Sequence, residues 1–132
     1  MPTGGTSDGP AWTAVVVASD EDVRALLRSL LVLEGVTIVA DVAGAAEATE
    51  RVHQDRPSLL IIERGLSDGD AQTLADTAKA AHPDVWTVVV SSDEVADEHP
   101  ILTGPTVDGV VRRPFHRSDF VRTLPPRLRG DR

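Results

Sequence analysis

The sequence predicts an α/β fold in which a parallel sheet is wound with helices on both faces, and three observations carry that prediction. Apolar, largely β-branched runs recur along the chain, too continuous for strands with one wet face. Between them lie stretches whose apolar residues repeat at helical spacing. Strand and helix alternate five times with short connections, the pattern of a doubly wound (βα)5 sheet buried on both sides.

Residues 1–11 are rich in Thr, Gly, Ser, Asp and Pro and have no periodicity, so they read as a flexible leader. Trp12 tacks down their end. The first strand is Ala14 to Ala18. Ser19, Asp20, Glu21 and Asp22 then suit a helix N-terminus, with a cap candidate followed by first-turn acids. Val23, Leu26, Leu27, Leu30 and Leu31 continue the helix, and Gly35 stops it. A second strand covers Val36 to Ala40, and a helix follows over Ala45–Asp55. Pro57 leads into the strand Leu59–Ile62, and a third helix spans Asp70 to Ala81. The fourth strand is Val85 to Val90, ending at Ser91 and Ser92. Asp93 to His99 starts like a helix, but Pro100, Gly104 and Pro105 prevent a long one. Val107 to Val111 is the fifth strand. Arg113-Pro114-Phe115 turns the chain into a short helix over Ser118–Leu124, which Pro125 and Pro126 end. One domain over residues 12–124, with a flexible basic tail at 125–132, is the expected organisation.

Composition narrows the function. The 132 residues suffice for a core without staples, and with no cysteine there is neither a disulfide frame nor a thiolate metal site. The N-terminus lacks the charge and apolar block of a signal peptide, and no apolar run approaches a membrane span. A soluble cytoplasmic protein is expected, with no membrane partner. Residues 112–132 hold seven arginines against two aspartates, a local +5 within a chain of −8, which leaves −13 on the rest. An acidic body of this kind argues against nucleic-acid binding. No glycine-rich phosphate loop follows any strand. The four histidines (His53, His82, His99, His116) share no ligand spacing and read as surface residues.

The chemistry-bearing residues fall at strand ends, where α/β sheets place their sites. Glu63 closes the Leu59–Ile62 strand and opens the turn Arg64-Gly65-Leu66-Ser67-Asp68-Gly69-Asp70. Ala18-Ser19-Asp20 follows the first strand, Ser91 the fourth, and Arg113-Pro114-Phe115 the fifth. From Ser19 to Glu63 to Ser91 to Arg113 the separations are 44, 28 and 22 residues.

In these residues and spacings the stretch from Thr13 to Leu124 resembles the receiver domain of bacterial response regulators. It looks like a degenerate, single-domain member. The resemblance implies a flavodoxin-like five-stranded parallel sheet in the order 2-1-3-4-5. It further implies that Glu63 replaces the phosphoacceptor aspartate, and that Ala18 and Ser19 replace the acidic pair, with Asp20 next along. Ser91 stands at the switch Ser/Thr position, Arg113 at the lysine position, Pro114 as a candidate for a cis bond, and Val110 where an aromatic often rotates. Receivers hold Mg²⁺ with the acidic pair, the aspartate and a carbonyl that corresponds here to Gly65.

Those departures shape the functional expectation. Mg²⁺ wants hard oxygen ligands in octahedral geometry, and Ala18 and Ser19 offer no carboxylate, so no cofactor is expected. Glu63 is one methylene too long for an aspartate's line of attack, and an ångström of misplacement costs about a hundredfold. It can instead imitate the phosphorylated state. Two arrangements fit: a network of Glu63 with Arg113 and Ser91 that holds an active-like surface, or a decayed pocket with Glu63 solvated and Arg113 turned to water. The expected role is non-enzymatic: a stand-alone receiver-like module of two-component signalling. It would bind a separate output or sensor protein independently of phosphorylation, with a homodimer left open. The alternatives are a working phosphoacceptor in a phosphorelay, using Asp20, Glu63 or Asp68, and a small-molecule-binding (βα)5 protein.

Overall fold

The computed structural model describes residues 12–66, 68–92 and 105–128. In chain order these form β1 (Thr13–Val17), α1 (Glu21–Leu33), β2 (Thr37–Val42), α2 (Ala45–Asp55), β3 (Leu59–Glu63) and α3 (Ala71–Ala81). β4 (Trp86–Ser92), β5 (Gly109–Arg113) and a last helix, α4 (Arg117–Val121), complete them. The strands make one sheet in the order β2-β1-β3-β4-β5, every pair parallel. This is the flavodoxin-like receiver order that the resemblance implies.

The strands alternate their buried side chains between two cores, which is why their sequences read as unbroken apolar runs. On one face Ala14, Val16, Leu59, Ile61, Val88, Val90 and Val111 meet Val23, Leu27 and Leu31 of α1 and Phe120 of α4. On the other, Val15, Val17, Leu60, Ile62 and Val89 meet Ala48 and Val52 of α2 and Leu74, Ala75 and Ala78 of α3. Burying one large apolar side chain contributes about 1.5–3 kcal/mol, so the central strands β1 and β3, almost wholly inaccessible, anchor the fold. Truncating Ile61 or Phe120 to alanine would remove the most packing.

Caps place the helix starts. Asp20 accepts from the Asp22 N–H at 2.8 Å and caps α1, while Asp70 accepts from the Thr73 N–H at 2.7 Å and caps α3. Gly35, at φ +83°, lets the chain leave α1 in the left-handed region that disfavours other residues.

Several boundaries differ from those read in the sequence. β2 runs two residues further, to Val42, because the Ala18 N–H reaches the Val42 carbonyl at 3.0 Å. Between Ala14 and Val15 the register with β2 skips Val39, a bulge that twists this edge strand. β5 starts at Gly109, because Asp108 turns its carboxylate onto the Thr87 N–H before the strand begins. α4 closes at Val121, after which Thr123 and Leu124 donate to the carbonyls of Phe120 and Val121, the tighter winding expected before Pro125. The packed chain also continues past Leu124: Pro125 is buried and Leu128 lies against the core. A tail free from residue 125 is therefore too early. The leader at 1–11, the weak helix over Asp93–His99 and residues 129–132 lie outside the described residues.

Candidate functional site

Parallel register brings the strand ends to one edge. Val17 of β1 is level with Ile62 of β3, Glu63 with Val90 of β4, and Ser92 with Arg113 of β5. Ser19, two residues past β1, therefore lies beside Glu63. Its N–H donates to Glu63 Oε1 at 3.0 Å, and its hydroxyl donates to the same oxygen at 3.3 Å. The carboxylate leans toward β1.

Arg113 is differently placed. It lies two strands from Glu63, each strand step being about 4.8 Å, and two residues beyond Glu63's level, about 6.6 Å further along. Among the described residues no ion pair joins Glu63 to Arg113, and no hydrogen bond joins Glu63 to Ser91. The expected Glu63–Arg113–Ser91 network is not formed, because Ser19 offers a nearer donor pair than a guanidinium reaching diagonally across β4. The decayed pocket does not describe the site either, since Glu63 is fastened rather than merely solvated. Ser91 is buried in β4, level with Arg112. Val110 is 45% exposed on β5, and the Arg113–Pro114 peptide bond is cis.

The neighbouring candidates are held by other tasks. Ala18 is fully buried with its methyl in the core, and its carbonyl accepts from Arg24 Nη1 at 2.7 Å. Asp20 is the α1 cap, as above. Asp68 accepts from the N–H groups of Ala45 at 2.7 Å and Ala46 at 3.2 Å, so it caps α2 from another loop. The cap position of α2 is Gly44, which has no side chain to offer. A Cβ there would lie 2.8 Å from Asp68 Oδ2. The Ala45 and Ala46 amides hold the Asp68 carboxyl below its ordinary pKa.

Whether these residues suit the Mg²⁺ of ordinary receivers follows from the donors. Where the second acid would stand there is a hydroxyl, and that hydroxyl already donates to the one carboxylate at hand. Gly65 alone keeps the corresponding carbonyl position. Among the described residues no group of three His, Cys, Asp or Glu gathers as a ligand set. A divalent cation does not fit this donor set.

Sequence reading missed two features. The Asp68 cap had a faint signal in Gly44, a residue without a capping side chain where a helix must start. The second is a polar clasp at the opposite edge. There Asp108 Oδ2 accepts from Lys79 Nζ at 2.9 Å and from the Thr87 N–H at 2.9 Å. Lys79 also reaches the Val85 carbonyl at 2.6 Å. Thr106 donates to Asp76 at 2.6 Å, and Gln72 donates to both. Thr106, then Gln72, hold the Asp76 carboxyl below its usual range.

No family model matches the sequence, and no curated protein matches it. Solved structures do resemble the fold. A response regulator receiver domain protein from Clostridium thermocellum superposes with TM-score 0.77 at 10% identity, covering 90% of this chain and 94% of that one. A putative response regulator from Chloroflexus aurantiacus gives TM-score 0.77 at 16% identity, with coverages of 91% and 98%. The receiver domain of AraT, a response regulator from Geobacillus stearothermophilus, gives 0.68 at 20%, covering 91% and 88%. At such identities the likeness shows the fold alone, a five-stranded parallel sheet wound as in those receiver domains. Among the described residues no helix is long and apolar enough to cross a membrane.

Proposed function

We propose that this chain is a degenerate receiver that signals in the cytoplasm by binding another protein, with Glu63 as a fixed acid rather than a phosphoacceptor. The carrying observation is the pairing of Glu63 with Ser19. Phosphoryl transfer to a carboxylate needs a free oxygen in line with the donor and a cation to offset charge in the transition state. Here the carboxylate is turned to β1, and the residue that would share the cation is its hydrogen-bond donor instead. Asp20 and Asp68, the other acids considered, already serve as helix caps. What remains at the edge is a constant surface: Glu63 tied to Ser19, with Arg113 half-buried two strands away.

A pull-down with the intact chain from its source cells tests this reading. The same partner should be captured from untreated protein and from protein incubated with a small phosphodonor and Mg²⁺. A Glu63→Ala/Arg113→Ala variant should reduce capture if this edge contributes to the bound surface. A partner captured only after phosphodonor treatment overturns the proposal.

A further inference from the structure

A single peptide unit joins Glu63 to a cation with which, among the described residues, it forms no ion pair. The Ala18 carbonyl and the Ser19 N–H belong to one planar, trans unit, so they point in opposite directions. The carbonyl accepts from Arg24 Nη1 at 2.7 Å, and the N–H donates to Glu63 Oε1 at 3.0 Å. The peptide thus lies between a guanidinium and a carboxylate, each at the end of the peptide dipole that favours it. Hydrogen bonds to charged groups are roughly twice as strong as neutral ones, and bonds in a chain polarise one another.

The chain on either side of this unit is fixed by other contacts. The Ala18 N–H donates to the Val42 carbonyl at 3.0 Å, and the residue is fully buried. Beyond Ser19, Asp20 caps α1. The plate between them can still rotate about its two Cα atoms, which would swing the Ser19 N–H away from Glu63. Arg24 is placed to stop that rotation. Its N–H is bonded to the Asp20 carbonyl at 3.0 Å, and its side chain runs back past the start of α1 to Ala18. That is the helix end that disfavours a cation. Among the described residues, neither Asp20, Glu21 nor Asp22 pairs with it. Helix stability alone does not account for a guanidinium turned this way.

We propose that Arg24 is the positioning residue of Glu63: acting through the Ala18–Ser19 peptide, it aims the Ser19 N–H at the carboxylate and holds the acid on the β1 side. This role rests on the reading of Glu63 as a fixed acid, and it supplies what does the fixing. The contact is made by one nitrogen, Nη1, rather than by the two-pronged fork that only arginine offers. A lysine of similar reach can therefore replace Arg24, whereas a methionine, which fills the same space without charge or donor, cannot.

Amide exchange followed by NMR on the full chain tests the proposal. Arg24→Met should speed exchange at Ser19 at least about threefold, while Ala18, bonded to Val42, stays within about 1.5-fold and reports an intact fold. Loss of a positive charge by itself lowers the local hydroxide concentration and slows exchange, so a faster rate reports the lost hold. Arg24→Lys should keep the Ser19 rate within about 1.5-fold of that of the unmodified chain. A guanidinium that only satisfied the Ala18 carbonyl would act alike with and without the Glu63 carboxylate. In a Glu63→Gln background, Arg24→Met should instead change the Ser19 rate by less than about 1.5-fold, the non-additivity of groups that act through one another. A Ser19 rate unmoved by Arg24→Met overturns the proposal, as does equal acceleration in both backgrounds or a failure of Arg24→Lys to restore the rate. Scalar coupling across the hydrogen bond, from the Ser19 nitrogen to the Glu63 carboxyl carbon, separates this role from the fixed-acid reading. Coupling that is present and indifferent to Arg24→Met overturns the role of Arg24 alone, and coupling absent from the unmodified chain overturns both.

Discussion

The two edges of the sheet invest their polar residues in opposite ways. At the carboxyl edge, among the described residues, Glu63 is hydrogen-bonded to Ser19 alone, and Arg113 lies two strands from Glu63. At the other edge, near the starts of β4 and β5, Lys79, Asp108, Thr87, Thr106, Asp76 and Gln72 interlock and fasten α3 to the sheet. Thr87 is fully buried, and the Lys79 and Asp108 side chains are each about four-fifths covered. In an α/β sheet the carboxyl edge is where convergent charges would be expected for chemistry. Here the convergence lies where it can only hold the fold together. The difference is between an edge whose described polar residues are sparsely joined and an edge whose polar residues fasten a helix to the sheet.

The largest effect is expected at the clasp. Asp108→Ala leaves the Lys79 cation and the Thr87 N–H without their shared acceptor, and should lower stability by about 3 kcal/mol in urea denaturation. A loss within error would mean that the clasp is ornamental. Next comes the α2 cap. Asp68→Ala should speed amide exchange at Ala45 and Ala46 and lower stability by less than the clasp change. Gly44→Ala should have a similar effect by pushing the Asp68 carboxylate away.

Acid should reach both edges, through Asp68 and Asp76. Their folded pKa values lie below the ordinary one, so their stabilisation is complete above the unfolded value and disappears as pH falls through the folded values. Asp68→Asn and Asp76→Asn should each flatten the decline in stability below about pH 4. An unchanged acid slope would contradict the paired geometry. The smallest effect belongs to the carboxyl edge. Ser19→Ala removes one hydroxyl donor and leaves the backbone N–H, so stability should change by about 0.5 kcal/mol or less.

What was legible in the sequence follows from which interactions are local or periodic. Buried strands appear as the uninterrupted runs Val15–Val17 and Leu59–Ile62, and caps such as Asp20 and Asp70 act within their own turn, so both could be read. The order of strands came with the resemblance. Asp68 capping α2 and Asp108 bridging Lys79 to Thr87 join residues 21 or more apart with no periodic trace. They were therefore invisible. Glu63 is legible in the sequence as a strand-end acid, but its partner is not. Charge complementarity pointed to Arg113, whereas strand register puts Ser19 nearer. Distance across the sheet outweighed the strength of the imagined pair.

The proposal that Glu63 is a fixed acid rather than a phosphoacceptor makes one outcome decisive. Intact mass spectrometry of the full chain after incubation with a small phosphodonor and Mg²⁺ tests it most directly. The mass should be unchanged by the treatment, as should that of a Glu63→Gln control carried through it in parallel. A stoichiometric phosphoryl adduct on the unmodified chain, absent from the Glu63→Gln control, would contradict it.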